Sequence, residues 1–367
     1  MSKVKDFLRR ELTLCISFLA ALVSCFFVPP DGAYLGYLDL RTLALLYALM
    51  VVVAGLRHAD VFTVLAHKLC ARAGSVRTMG ITLVLLSFFS AMLITNDVAL
   101  LTFVPFAVVV LGMAHQEKEL IWVVLLQTVA ANLGSVLTPV GNPQNLYLYS
   151  NYHLSIVYFF SATGPLWLIS LAVVLLLSLR LSRSHVDVFL GEEPELDKKS
   201  LILYLLLFAL CLAVVLRLIT WYLMLPVLIV VLLIFDRRRL KEADFMLLLT
   251  FVCFFIFAGN LARVPAVEAL LSRLLLGREL LVGALASQVI SNVPAALLLS
   301  GFTENGRELL LGVNIGGLGT PIASLASLIS LKLYSHSEQA DTGKYLRQFS
   351  LVNFALLIAL LLLYSLI

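Results

Sequence analysis

Charge is what this chain has least of. Only 13% of its 367 residues are Asp, Glu, Lys or Arg, against about 25% in an ordinary soluble domain. Polar stretches long enough for a separate soluble domain are missing, as are the short alternating strands of an outer-membrane barrel. There is no Walker motif, no HExxH, no GxSxG and no pair of carboxylates on one apolar run, so nucleotide-driven work and hydrolysis lack their machinery. The five cysteines (Cys15, Cys25, Cys70, Cys211, Cys253) show neither CxxC nor metal-ligand spacing and read as free thiols used as small hydrophobes. The six histidines (His58, His67, His115, His153, His185, His336) fall in loops or interfacial stretches without ligand pairing. The net charge of +4 is spread over short loops, which gives no ground for a nucleic-acid partner, and no cofactor is expected.

What the chain has is hydrocarbon: 61% hydrophobic residues and a mean hydropathy of +1.03. Apolar runs long enough to cross ~30 Å of bilayer recur from end to end, so an all-α, polytopic protein with one transmembrane domain over 1–367 is expected. Spans are read at 12–28, 39–56, 155–179, 200–218, 221–235, 243–261 and 346–367, the first retained rather than cleaved as a signal peptide. Residues 58–76 read as an interfacial amphipathic helix. With the N-terminus in the cytoplasm, the outer segments hold Arg41, Arg217, Arg263, Arg273, Arg278 and Arg307, and the other 20 of the 26 basic residues lie inside. That split obeys the positive-inside rule for a protein of the cytoplasmic membrane.

The chain also repeats itself. Asn132-Leu-Gly134-Ser-Val-Leu-Thr138-Pro139-Val returns as Asn314-Ile-Gly316-Gly-Leu-Gly-Thr320-Pro321-Ile, each inside an apolar run where Gly and Pro interrupt a helix. Upstream, Thr95-Asn96-Asp97 is matched by Ser291-Asn292-Val293-Pro294. Repeat 1 (40–180) holds a hairpin at 78–114 and a broken helix at 120–150; repeat 2 (243–367) holds a hairpin at 279–302 and a broken helix at 308–331. By the charge rule the first hairpin opens from the cytoplasm and the second from outside, so the repeats are inverted and their hairpins re-entrant. The arms of the first are long enough to cross alone, which is the alternative. Asn132 lies about 16 Å along a helix from Ile121, near the bilayer centre. Helices restarting at Asn142-Pro143 and Thr320-Pro321 would aim positive dipole ends there, which suits an anion. Carbonyls freed at the breaks, with Thr95, Asn96, Ser291 and Asn292, would suit Na⁺, and Asp97 is the acid placed deepest.

These motifs resemble the ion transporter superfamily, which includes arsenite permeases, sodium–proton antiporters, citrate–metal transporters and divalent-anion sodium symporters. Thr95-Asn96-Asp97-Val98 resembles the arsenite-permease hairpin tip, and Gly141-Asn142-Pro143-Gln144-Asn145 is similar to the superfamily's Gly-x-Pro-x-Asn signature. Asn142 stands where many relatives carry an acid, and Val293 where divalent-anion symporters carry a hydroxyl. The resemblance implies a secondary carrier and no enzyme: a moving transport domain against a scaffold that dimerises. It implies a small anion or oxyanion bound near Asn96, Asn132, Gly134, Thr138, Gly141, Asn142, Pro143, Asn292, Pro294, Asn314, Gly316, Thr320 and Pro321. A coupling ion, Na⁺ or H⁺, is implied at Thr95, Asn96, Asp97, Ser291 and Asn292. Arsenite or antimonite efflux, sodium–proton antiport and an ion channel remain as alternatives.

Overall fold

The computed structural model describes residues 11–185, 194–337 and 340–366. Lys3, Lys5, Arg9 and Arg10, which contribute to the expected cytoplasmic N-terminus, lie outside them. The described residues form helices and no strands, with one isolated bridge between Ser75 and His185. Among the described residues, eight helices are long and apolar enough to cross a membrane.

Many helix starts are dictated locally. Asp39, Ser75, Ser155, Asp197, Asp244, Asn305 and Asp341 each accept a hydrogen bond from a first-turn backbone N–H, the standard use of short polar side chains at that position. The resulting elements are α1 (Leu12–Phe27), α2 (Leu40–His58), α3 (Val61–Cys70), then the first hairpin, α4 (Val76–Ile94) and α5 (Asn96–Met113). The first broken helix follows as α6 (Glu117–Gly134) and α7 (Pro143–Asn151). Then come α8 (Ile156–Ser178), α9 (Lys198–Val215), α10 (Trp221–Phe235) and α11 (Phe245–Ala262). The amphipathic α12 (Pro265–Leu275), absent from the sequence reading, precedes the second hairpin, α13 (Glu279–Ile290) and α14 (Asn292–Leu299). The second broken helix is α15 (Gly306–Ile315) and α16 (Leu325–Ser335), and α17 (Thr342–Ser365) closes the chain.

The two halves share an element order, and they share backbone geometry at the hairpin tips. Thr95 has φ 71°, ψ 153° and Ser291 has φ 73°, ψ 154°. Each hairpin packs on the first part of its own broken helix, α4 and α5 on α6, α13 on α15. Each restarted helix instead packs on the other half's hairpin, α16 on α5 and α7 on α14.

Among the described residues, two large apolar cores result, with a small third one where Leu14 and Ala21 of α1 meet Cys253 of α11. One gathers α4, α5, α6, α8, α16 and α17, with Phe88, Phe103 and Phe349 fully buried. The other gathers α2, α7, α9, α10, α11, α14 and α15. Outward faces are apolar as well: Phe18 and Phe26 of α1, Leu168 and Leu176 of α8, Leu233 and Ile234 of α10 and Leu362 of α17 are exposed, as lipid-facing residues are. The cysteines are all free. Among the histidines, His67 lies on α3, within the stretch read as an interfacial helix, with Nε2 buried and without a hydrogen-bond partner among the described residues.

Loops assigned to the same side touch each other. On the side read as cytoplasmic, Arg77 Nε donates to Leu181 O at 2.8 Å and His58 pairs with Glu242 at 3.3 Å. On the other, Arg41 donates to Val214 O at 3.0 Å, and Arg263 pairs with Asp31 at 2.8 Å, holding that carboxyl below its ordinary value.

Candidate functional site

The site is built on the two breaks. In the first, α6 gives way to one 3-10 turn (Ser135–Leu137), Thr138 is extended, and α7 restarts with Asn142 as cap and Pro143 in its first turn. In the second, Thr320-Pro321 starts only a three-residue turn, and α16 begins after extended Ser324. The expected restart at Thr320 is therefore displaced: Ser324 leaves the helical path and its hydroxyl donates to Asn132 Oδ1 at 3.0 Å.

The motif asparagines brace the breaks against each other. Asn132, from the first half, donates to Ser327 Oγ at 3.2 Å and Gly317 O at 3.4 Å in the second. Asn314, from the second half, donates to Asn145 Oδ1 at 2.7 Å and accepts from Asn142 Nδ2 at 3.2 Å. All four asparagines are buried, and each neutral bond of this kind contributes about 1 kcal/mol net. Thr138 and Thr320 tie the breaks to the hairpins, donating to Met92 O and to Gln288 O. Gly134, Gly141 and Gly316 permit close approach: a Cβ would lie 2.1 Å from Phe88 O, 2.1 Å from Ser135 O and 2.7 Å from Ala284 Cα. None of Asn132, Gly134, Thr138, Gly141, Asn314, Gly316, Thr320 and Pro321 lines the central cavity.

That cavity has two lobes, of about 100 and 210 Å³, which share Asp97, Pro143, Asp244, Leu247 and Leu325. The smaller brings the two hairpin tips together, with Asn96 and Asp97 facing Ser291, Asn292 and Pro294, and adds Glu11, Gln144 and Ser324. The larger runs between Thr95, Asn142 and α2 toward Arg57 and Glu242. Sequence reasoning missed Asp244, which reads as a plain cap behind the basic run Arg237-Arg238-Arg239. The fold draws its loop inward, with Leu240 O accepting from Tyr47 OH in mid-α2 at 3.1 Å.

Among the described residues, six helix N-termini border this one cavity: α1 at Glu11, α5 at Asn96, α7 at Pro143, α11 at Asp244, α14 at Asn292 and α16 at Leu325. Each carries about half a positive charge. Glu11, Asp97 and Asp244 place a carboxylate on three of them. The other three carry only neutral side chains at their starts (Asn142, Gln144, Asn292, Ser324). The tips also differ in state. Asn96 Nδ2 donates to Asn132 Oδ1 at 3.0 Å, whereas Asn292, 5% exposed, has no side-chain hydrogen bond among the described residues.

Comparison with known proteins agrees with this architecture. A family model described as citrate transporter matches residues 4–304. An uncharacterized transporter of Methanocaldococcus jannaschii is 32% identical over 294 residues, 80% of each chain. The inner membrane protein YbiR of Escherichia coli is 31% identical over 318 residues, 84% of each chain. A silicon efflux transporter of Oryza sativa subsp. japonica is 30% identical over 160 residues, 44% of this chain and 32% of its own. The chain therefore belongs to the citrate transporter family, within the ion transporter superfamily, and is a multi-pass membrane transporter.

Proposed function

We propose that the protein is a secondary active carrier, not an enzyme, moving a small anion or oxyanion across the cytoplasmic membrane by alternating access. The observation that carries this reading is the cavity walled by six helix N-termini among the described residues, of which three have no carboxylate of their own. Such ends bind anions through oriented N–H groups and the helix dipole. Asn292, with its amide free in the cavity, is the side chain that meets the substrate. Asp97 and Asp244 answer to the coupling ion, Na⁺ or H⁺. The hairpins are re-entrant and inverted, the N-terminus is cytoplasmic and the scaffold pairs two copies. Support for two-sided access comes from the meeting of both tips at one cavity and from the paired, interrupted segments in the two halves.

Oxyacid efflux is a second reading, favoured by the similarity to a silicon efflux transporter. One experiment separates these readings and a channel. Proteoliposomes are loaded in turn with citrate, a dicarboxylate, sulfate, phosphate, arsenite and silicate under Na⁺ or pH gradients. Saturable flux with counterflow for a charged substrate is expected. Flux confined to arsenite or silicate would favour the second reading, and ohmic current without exchange would remove the carrier.

A further inference from the structure

At each break three main-chain carbonyls converge on one point, and a side-chain amide nitrogen occupies it. In the first, Asn145 Nδ2 lies 3.3 Å from Ser135 O, 3.2 Å from Val136 O and 3.2 Å from Thr138 O. In the second, Gln288 Nε2 lies 2.8 Å from Gly316 O and 3.0 Å from Leu318 O, both freed by the break, and 3.1 Å from Ala284 O, one turn back in its own helix α13. The two amides arrive by different routes, Asn145 from the helix after its break and Gln288 from the hairpin arm before its own. Their oxygens are engaged too: Asn145 Oδ1 accepts from Asn314 at 2.7 Å and Gln288 Oε1 from the Thr320 N–H at 2.9 Å. Each amide is thereby fixed with its donor end among carbonyls.

An NH₂ group offers two hydrogens to three acceptors. A ring of carbonyl oxygens around one point is otherwise the environment of a bare cation, as where unwound backbone coordinates an ion in transporters. We propose that Asn145 and Gln288 are built-in substitutes for bound cations, neutral donors that hold both carbonyl cages in shape and keep metal ions out of them. The carbonyls freed by the breaks are therefore not the Na⁺ ligands that the sequence suggests. On the carrier reading above, coupling then falls to the cavity around Asp97. Asn145 and Gln288 are positioning residues, because they touch the backbone of the breaks and not the cavity's contents.

The test reads unfolding temperature, so its failure is separate from failure of the carrier reading. Purified full-length protein is melted in choline, ammonium, potassium and sodium chloride at one ionic strength. The wild type should melt at the same temperature in choline, ammonium and potassium, and any rise in sodium should vanish in Asp97→Asn, whose cavity site is separate from the cages. Asn145→Ala and Gln288→Ala empty a cage and should melt ~5 °C or more lower in choline, with ammonium or potassium restoring part of the loss saturably. Gln288→Glu, which turns the donor into a charged acceptor, should show the largest cation dependence. If a variant does not fold in choline, recovery of folded protein when it is prepared in ammonium chloride is the supporting result, and failure in every salt opposes the proposal. A melting temperature that rises saturably with Na⁺ or K⁺ in Asp97→Asn with both cages intact overturns it, as does a loss in the alanine variants that is equal in all four salts.

Discussion

Thr95 and Ser291 hold a backbone region that only glycine occupies without strain, and both are hairpin tips facing the cavity or its edge. Strain of this kind costs about 1–3 kcal/mol per residue, and glycine's greater freedom when unfolded returns about 0.5–1 kcal/mol of it. Thr95→Gly or Ser291→Gly should therefore raise stability by ~1 kcal/mol, read as a higher melting temperature; a fall would mean that the tips are relaxed. The tip asparagines should separate in a second way. Asn292→Ala should abolish transport while leaving the melting temperature nearly unchanged, because its amide holds no other residue. Asn96→Ala should abolish transport and also lower stability by ~1 kcal/mol through loss of the Asn132 bond. Wild-type flux in both variants would remove the site from the tips. At this scale the sequence marks Asn132 and Asn314 as important but hides their work. Helix-breaking neighbours announce an interruption, whereas a hydrogen bond to a residue 169 or more positions away leaves no local trace. Gln288 is detectable only as a polar residue within an apolar arm, and nothing beside it names the carbonyls it serves.

Among the elements, the helices lie within a few residues of where the apolar runs place them, because length and composition decide them with little help from tertiary contacts, although α1 and α10, of 16 and 15 residues, are shorter than the eight that can cross by length. The exceptions have physical reasons. α12 is short and amphipathic, so its Glu268 and Arg273 disguise it as a loop. The second break extends to Ser324 because a partner from the first half, Asn132, takes that hydroxyl. The first hairpin has arms of 19 and 18 residues, each long enough to cross, against 12 and 8 in the second. Arm length alone therefore favours a crossing for the first, while the meeting of both tips at one cavity favours a turn back within the membrane. Cysteine labelling decides between them. In intact vesicles, a single cysteine at Thr95 should react mainly from the cytoplasmic side in the inward-facing state, and one at Ser291 mainly from outside in the other state. Reaction at Thr95 from outside in every state would make the first hairpin a pair of true spans.

For the whole molecule, the carrier proposed above must make its movement depend on an ion. The cavity places Asp97 against Asp244, with Glu11 at one lobe and Arg57 and Glu242 toward the mouth of the other. Arg57 is the basic residue among these lining groups, and Glu242 is itself held by His58 and Arg239. Two carboxylates facing each other between apolar cores are costly to enclose, since an unpaired charge loses its hydration when the walls close. The two helix dipoles beneath them offset part of that cost while the cavity is open to water, but closing it requires a cation or a proton to join the pair. An arrangement that resists closing unless the coupling ion is aboard is what gradient-driven movement needs. Asp97→Asn retains the size and hydrogen-bonding capacity of the side chain and fixes it neutral. The walls should then close with or without the ion, so downhill flux and counterflow persist while accumulation against a gradient is lost. Both are measured in the same vesicles under an imposed pH or Na⁺ gradient. Asp244→Asn, one helix away, should weaken the dependence on the gradient less than Asp97→Asn, because Asp244 is exposed and water still screens it. If Asp97→Asn accumulates substrate as the wild type does, Asp97 is only a first-turn acid on α5 and the ion must act elsewhere.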